Sequence, residues 1–201
     1  DSAGHAYSGG TVYGRGFPTK VGGYEVKFQG GKRVEPRIGD IARDAGILKY
    51  NQDGSQLLYA TYLGGSHNEQ PHSMIVNSKG ELVIFGTTHS ADFPITANAY
   101  DTRINGQADV YLVKLANDGK QLLAGTFMGG RGMDGLNGEY RGGTGRFPRR
   151  NKIKLGYNYG DIYRGEVIVD SQDNIYVASC TRSRDFPVTT NAYVTQFQKG
   201  Y

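Results

Sequence analysis

"SADFPITANAY", residues 90–100, returns as "SRDFPVTTNAY" at residues 183–193. Neither copy has the 3.6-residue apolar spacing of a helix or the sustained alternation of a strand, so the phrase reads as a specified loop. A loop copied that faithfully belongs to a copied structural unit, and the unit emerges on moving outward from it. Aligned on Phe93-Pro94 and Phe186-Pro187, "SMIVNSKGELVIFGTTHSADFP" lies over "EVIVDSQDNIYVASCTRSRDFP". The opening segment "DSAGHAYSGGTVYGRGFP", Asp1 to Pro18, is a third copy. A second segment recurs without a gap: "RDAGILKYNQDGSQLLYATYLGG" (43–65) matches "ADVYLVKLANDGKQLLAGTFMGG" (108–130).

The two segments alternate, so together they make one repeat. Gly65 and Gly130 stand 65 residues apart, whereas Phe93 and Phe186 stand 93 apart, which leaves 28 extra residues in the last unit. Phe17 and Phe93 stand 76 apart, an excess of 11 placed around "GGKRVEPRIGD". Each unit reads as four strands: "SMIVN" and "ELVIFGTT" joined by "SKG", then "DVYLVKLA" and "QLLAGTFM" joined by "NDG". Glycine between β-rich runs marks hairpins, because those turns need positive φ. Composition agrees. The 201 residues include 31 Gly and 15 Tyr and no Trp, a balance that favours strands and tight turns. The expectation is an all-β fold of four-stranded antiparallel units, the form of a β-propeller blade.

The phrases "YLGG", "VDSQDNIYV", "SRDFPVTTNAY" and "NGQADVYLVKL" resemble the β-propeller repeat often called SBBP, found in large secreted and cell-surface proteins of bacteria, frequently of the Bacteroidetes group. The resemblance covers nearly the whole chain except the two insertions. It implies a propeller fold, a secreted or cell-surface location, type IX secretion and a role in adhesion or gliding. It supplies no catalytic residues to carry over.

On this reading residues 1–65 are a partial blade, strands B to D, with a small insertion near 30–40. Residues 66–130 are a complete blade, 131–165 an insertion, and 166–201 a partial blade of strands A and B. One complete blade and parts of two others cannot close a ring, which takes about four to eight blades. The chain also begins without Met. The expectation is a fragment of a longer polypeptide, partnered by other blades of that polypeptide or by neighbouring subunits. The A–B and C–D links are tight turns, so the elaborated B–C and D–A links fall on one face. There Phe17, Pro18, Phe93, Pro94, Tyr100, Phe186, Pro187 and Tyr193 form the repeated structural loop, with Phe and Tyr expected to tuck it onto the neighbouring blade and Pro to stiffen it.

The insertion, Arg131 to Gly165, is the non-repeated part. Between Arg141 and Lys154 it carries Arg141, Arg146, Arg149, Arg150, Lys152 and Lys154 and no acidic residue, interleaved with Phe147 and followed by Tyr157 and Tyr159. Basic and aromatic side chains together suit a polyanion or glycan, so these residues are the candidate interaction surface. The plainer reading is a solvated loop packed on an adjacent blade or subunit. His67 and His72 flank Glu69, but their spacing matches no zinc motif. Asp170 and Asp173 lack the alternating oxygens of an EF-hand and suit Asx-type turn bonds instead. Asp161 and Glu166 near Arg164 read as an ion-paired lead into a strand. Cys180, the single cysteine, reads as a small buried hydrophobe. No nucleophile–base pattern or phosphate loop occurs, and no metal or other cofactor is expected. The net charge of +4 gives no reason to expect nucleic acid. No run is long enough for a transmembrane segment. The chain is expected to be a non-catalytic scaffold for protein–protein or cell-surface contact. A glycan- or polyanion-binding module, and a piece of a carbohydrate-active propeller enzyme, are the alternatives.

Overall fold

The computed structural model of the chain describes residues 1–19, 23–30, 43–136 and 165–197. Among these residues there is no helix; the strands form three separate antiparallel sheets, none of them closed on itself. No helix there is long and apolar enough to cross a membrane. The first sheet holds β1 (Ala6–Val12), β2 (Asp44–Tyr50) and β3 (Leu57–Leu63), in that order. The second is a four-stranded meander of β4 (Glu69–Val76), β5 (Leu82–Thr88), β6 (Asp109–Leu115) and β7 (Leu122–Met128). The third pairs β8 (Gly165–Val169) with β9 (Ile175–Ser179).

The strands fall where the alternating and apolar runs place them, with one extension. β4 begins at Glu69 rather than Ser73 and reaches back through Pro71, where its register against β5 shifts. Such an irregularity lets a strand continue past a residue with no N–H to give. The hairpin turns need a left-handed residue, as their sequences signal: Gly80 and Gly119 sit at φ 75° and 68°. In the third sheet Asp173 occupies the place of Gly80 and adopts φ 63°, a conformation that Asp tolerates better than most side chains.

In the second sheet β5 is buried on both faces, which is why its sequence runs "LVIF" without a polar break. Successive side chains point to opposite faces. Leu82 and Ile84 pack with Ala45, Ile47, Tyr59 and Leu63 of the first sheet. Val83 and Phe85 pack with Val167 and Val177 of the third. Burying one such side chain contributes roughly 1.5–3 kcal/mol, and each seam sums several such contributions. Gly165 opens β8 because a Cβ there would run into the Phe85 ring.

Polar contacts fasten the seams at the tight-turn end. The Lys49 ammonium, almost fully buried, donates to the Asn117 carbonyl at 3.1 Å and to its side chain, joining the first sheet to the β6–β7 turn. Ser78 donates its N–H and its hydroxyl to the Asp173 carboxylate at 2.9 and 2.6 Å, joining the β4–β5 turn to the β8–β9 turn. Asp170 behaves as the sequence suggests, accepting the N–H groups of Gln172 and Asn174 within its own turn. Asp173 does not; its carboxylate reaches 95 residues back across a seam.

Candidate functional site

At the opposite end of the sheets, the connections between them converge on two Gly-Gly pairs. A Cβ on Gly64 would stand 2.6 Å from the Asp44 carboxylate and 2.8 Å from Glu69 Oε2; one on Gly65 would stand 2.6 Å from Ser90 and 2.7 Å from Asp92. The second pair repeats the arrangement: Gly129 faces Asp109, and Gly130 faces Ser183 and Asp185. Glycine is required at all four positions by what surrounds it, and the residues that surround it are mostly carboxylates.

Each carboxylate holds one piece of backbone. Glu69 accepts the Gly65 N–H at 3.0 Å and the hydroxyls of Thr88 and Ser90, while Ser90 Oγ accepts the His67 N–H. One unit later, Asp134 accepts the Gly130 N–H at 2.9 Å and the hydroxyls of Thr181 and Ser183, while Ser183 Oγ accepts the Gly132 N–H. Asp92 and Asp185 accept the N–H groups of Ser66 and Arg131. Asp44 and Asp109, which open β2 and β6, accept the N–H groups of Gln29 and Asn105 at 2.8 Å. The "S-x-D" of the repeated loop therefore clamps the connector from the preceding sheet.

Burial governs the charge state of this cluster. It pushes Glu69, fully enclosed, up to about 7 despite its three hydrogen-bond donors, with Asp44 adding to the shift. It pushes Asp109 up to about 6, with Asp134 contributing. Asp44 and Glu25 are raised for the same reason. Burial would also lift Asp92, but the Ser66 N–H and hydroxyl outweigh it and hold that carboxyl below its usual range.

Above the first Gly-Gly pair lies a cleft of about 420 Å³ lined by Tyr24, Glu25, Gln29, Gly64, Gly65, Asp92 and Pro94. Its walls come from the loops of two successive repeats. Glu25 Oε2 is buried there without a hydrogen-bond partner. The cleft offers acceptors and negative charge, and so suits a donor-rich or cationic group. It does not present a hydrolytic relay. The Ser66 hydroxyl meets His67 Nδ1 at 3.1 Å but donates directly to Asp92 at 2.9 Å, so the imidazole is not held between serine and carboxylate. Among the described residues no group of three or more His, Cys, Asp or Glu side chains could hold a metal ion. His72 packs edge-on against Phe85 at 5.5 Å and meets the Thr87 hydroxyl.

The repeated loop residues are placed unequally. Phe93 is 2 % exposed, stacked on Tyr111 at 4.4 Å and 6.2 Å from Phe127, all within its own sheet. Phe17 lies 5.4 Å from Tyr62. Pro18 is exposed, and Pro94, Phe186 and Pro187 are half-buried. The tyrosines depart from the expected tuck. Tyr100 is 76 % exposed and Tyr193 fully so; only their counterpart Tyr24 packs against the core. Hydrogen bonds replace that contact: the Thr96 N–H and hydroxyl donate to the Gly125 carbonyl, and the Phe127 N–H to the Asp101 carbonyl, strapping the loop across β7. Cys180 is half-buried rather than enclosed, its thiol raised chiefly by burial.

The candidate interaction surface of Arg141, Arg146, Phe147, Arg149, Arg150, Lys152, Lys154, Tyr157 and Tyr159 lies outside the described residues, as do Asp161 and Arg164. Glu166 is described, and it accepts the Ser73 hydroxyl across a seam at 3.1 Å. The carboxylate clamp went unread in the sequence, although its signal was present. Glu69 and Asp134 stand 65 residues apart, as do Asp44 and Asp109, at the repeat period itself. No protein-family model matches this chain, and no curated protein matches it.

Proposed function

We propose that the chain is a run of β-propeller blades in a large exported or cell-surface bacterial protein, acting as a non-catalytic scaffold for protein–protein or cell-surface contact. The observation that supports it most is the equivalence of the two seams. The same Gly-Gly pair, carboxylate and hydroxyl trio join the first sheet to the second and the second to the third. Joints that repeat at the sequence period are what a radial array of blades needs. In a scaffold of this kind the polar residues serve the joints, and the serine–histidine–carboxylate geometry at Ser66 supports a structural role for them.

The working surface of such a scaffold is the loop face, where the connectors, the 420 Å³ cleft and the start of the basic insertion lie together. The test is the intact mass and particle shape of the polypeptide isolated from its source. A mass several times 21.9 kDa with a ring-shaped particle is expected. A particle of 21.9 kDa with no ring would overturn the propeller, and turnover of a polysaccharide by the intact protein would overturn the non-catalytic role.

A further inference from the structure

We infer that the edge of β9 left unpaired among the described residues, with the residue 186–194 loop beside it, is a docking site for an antiparallel β-hairpin of this chain's own repeat pattern, one that carries glycine rather than tyrosine at the third position of its first strand. The inference rests on the repeat reading above and adds to it the identity of the occupant.

β5 and β9 are equivalent in the alignment, Leu82 matching Ile175. β5 pairs with β6 along its whole length, and every one of its residues is buried. Among the described residues β9 pairs only with β8, and it leaves Ile175 37 % and Tyr176 53 % exposed. The loop that follows β9 already has the shape it has in the second sheet. Phe186 N–H donates to the Ser183 carbonyl at 3.4 Å and Ala192 N–H to the Thr189 carbonyl at 3.1 Å; their counterparts at Phe93 and Ala99 measure 3.3 and 3.1 Å. In the second sheet that loop is strapped over β7. Here it keeps its internal bonds while Val188 and Val194 face solvent. An exposed edge is a template for strand addition, and a loop already in its bound conformation lowers the ordering cost of docking.

The occupant's sequence follows from the cross-strand register. Gly86 pairs with Tyr111, and a Cβ on Gly86 would stand 2.5 Å from the Tyr111 ring and hydroxyl. In the first sheet the same register pairs Gly10 with Gly46, and a Cβ on Gly10 would meet nothing within 4 Å. The third sheet has Ser179 at this place. With a side chain there, a hairpin like residues 108–130 brings its tyrosine into occupied space, whereas one like residues 43–65 does not. Phe17 lies directly over Gly46, which leaves the same berth for Phe186.

The test uses the whole chain and two synthetic peptides with the sequences of residues 43–65 and 108–130. Binding is followed by calorimetry and by amide exchange along β9. The 43–65 peptide is expected to bind and slow exchange in β9. The 108–130 peptide should bind at least about fivefold more weakly, the lesser end of what overpacking produces. Ser179→Gly in the chain should narrow that gap, and Gly46→Tyr in the first peptide should weaken it. If neither peptide slows β9 exchange, the docking site is wrong. Equal binding of the two overturns the glycine requirement, and protection that rises with protein concentration alone puts a second copy on the edge. None of these readings depends on ring closure, so failure here leaves the propeller standing, and the absence of a ring leaves the docking site standing.

Discussion

The first and second sheets carry the same loop in the same register and fill the space beneath it differently. In the second, Tyr111 stacks on Phe93 and lies across Gly86; in the first, Gly46 takes the tyrosine's place and the Phe17 ring moves in over it. Gly86 and Gly10 occupy one position of the repeat, yet only Gly86 is pressed by a neighbour. The conformational freedom of glycine is not what either position uses. What matters is the cross-strand partner, and a glycine shared by two repeats can be obligatory in one and incidental in the other.

The largest test of this contrast is Phe93→Ala. It opens a cavity beside Tyr111 and should cost about 3–5 kcal/mol in urea denaturation, and a loss below 1 kcal/mol would break the claim that the stacked pair anchors the loop. A pH scan sharpens the comparison at the seam between the two sheets. Glu69 holds its proton up to about 7 when folded, against 4.5 ordinarily. The folded chain thus binds a proton between those values that the unfolded chain has released. Stability from this group is fullest below its unfolded value and falls as pH rises towards 7, by up to about 3 kcal/mol. Asp109, raised to about 6, adds a decline of the same sign that ends earlier. Glu69→Gln should flatten the upper part of the curve and Asp109→Asn the lower.

Next comes the glycine pair itself. Gly86→Ala should cost about 1–3 kcal/mol, because the added methyl meets Tyr111 and the Gln70 backbone. Gly10→Ala should change stability by no more than about 0.5 kcal/mol. Equal effects on thermal unfolding would erase the distinction. The smallest effect is expected from Tyr100→Ala, within about 0.5 kcal/mol, since the ring lies in solvent.

Much of this was legible in the chain. The alternation of "SMIVN" and the unbroken "LVIF" mark strands half and wholly enclosed, and "SKG" and "NDG" mark their turns, because both signals are local. What escaped has partners far away in sequence. Asp173 reads as a turn residue and is one, but its carboxylate is committed to Ser78. Tyr100 repeats as faithfully as Phe93 and packs against far less, because repetition records that a position is copied and not what it touches. Glu69, between two histidines whose spacing fits no metal motif, has its oxygens occupied by Gly65, Thr88 and Ser90. The carboxylate clamp could have been found by asking which charged residues recur at the period, since Asp44, Glu69, Asp109 and Asp134 all do.

The clamp also has a mechanical meaning. The chain leaves β3 at Leu63 and enters β4 at Glu69, and within that short bridge Gly65, Ser66 and His67 are each pinned through the backbone N–H. Tension passed from one sheet to the next must cross these pins, which stand on three successive residues. Under force the chain would be expected to yield here only after several hydrogen bonds give way together, so that each sheet is lost as a unit and the chain lengthens in steps.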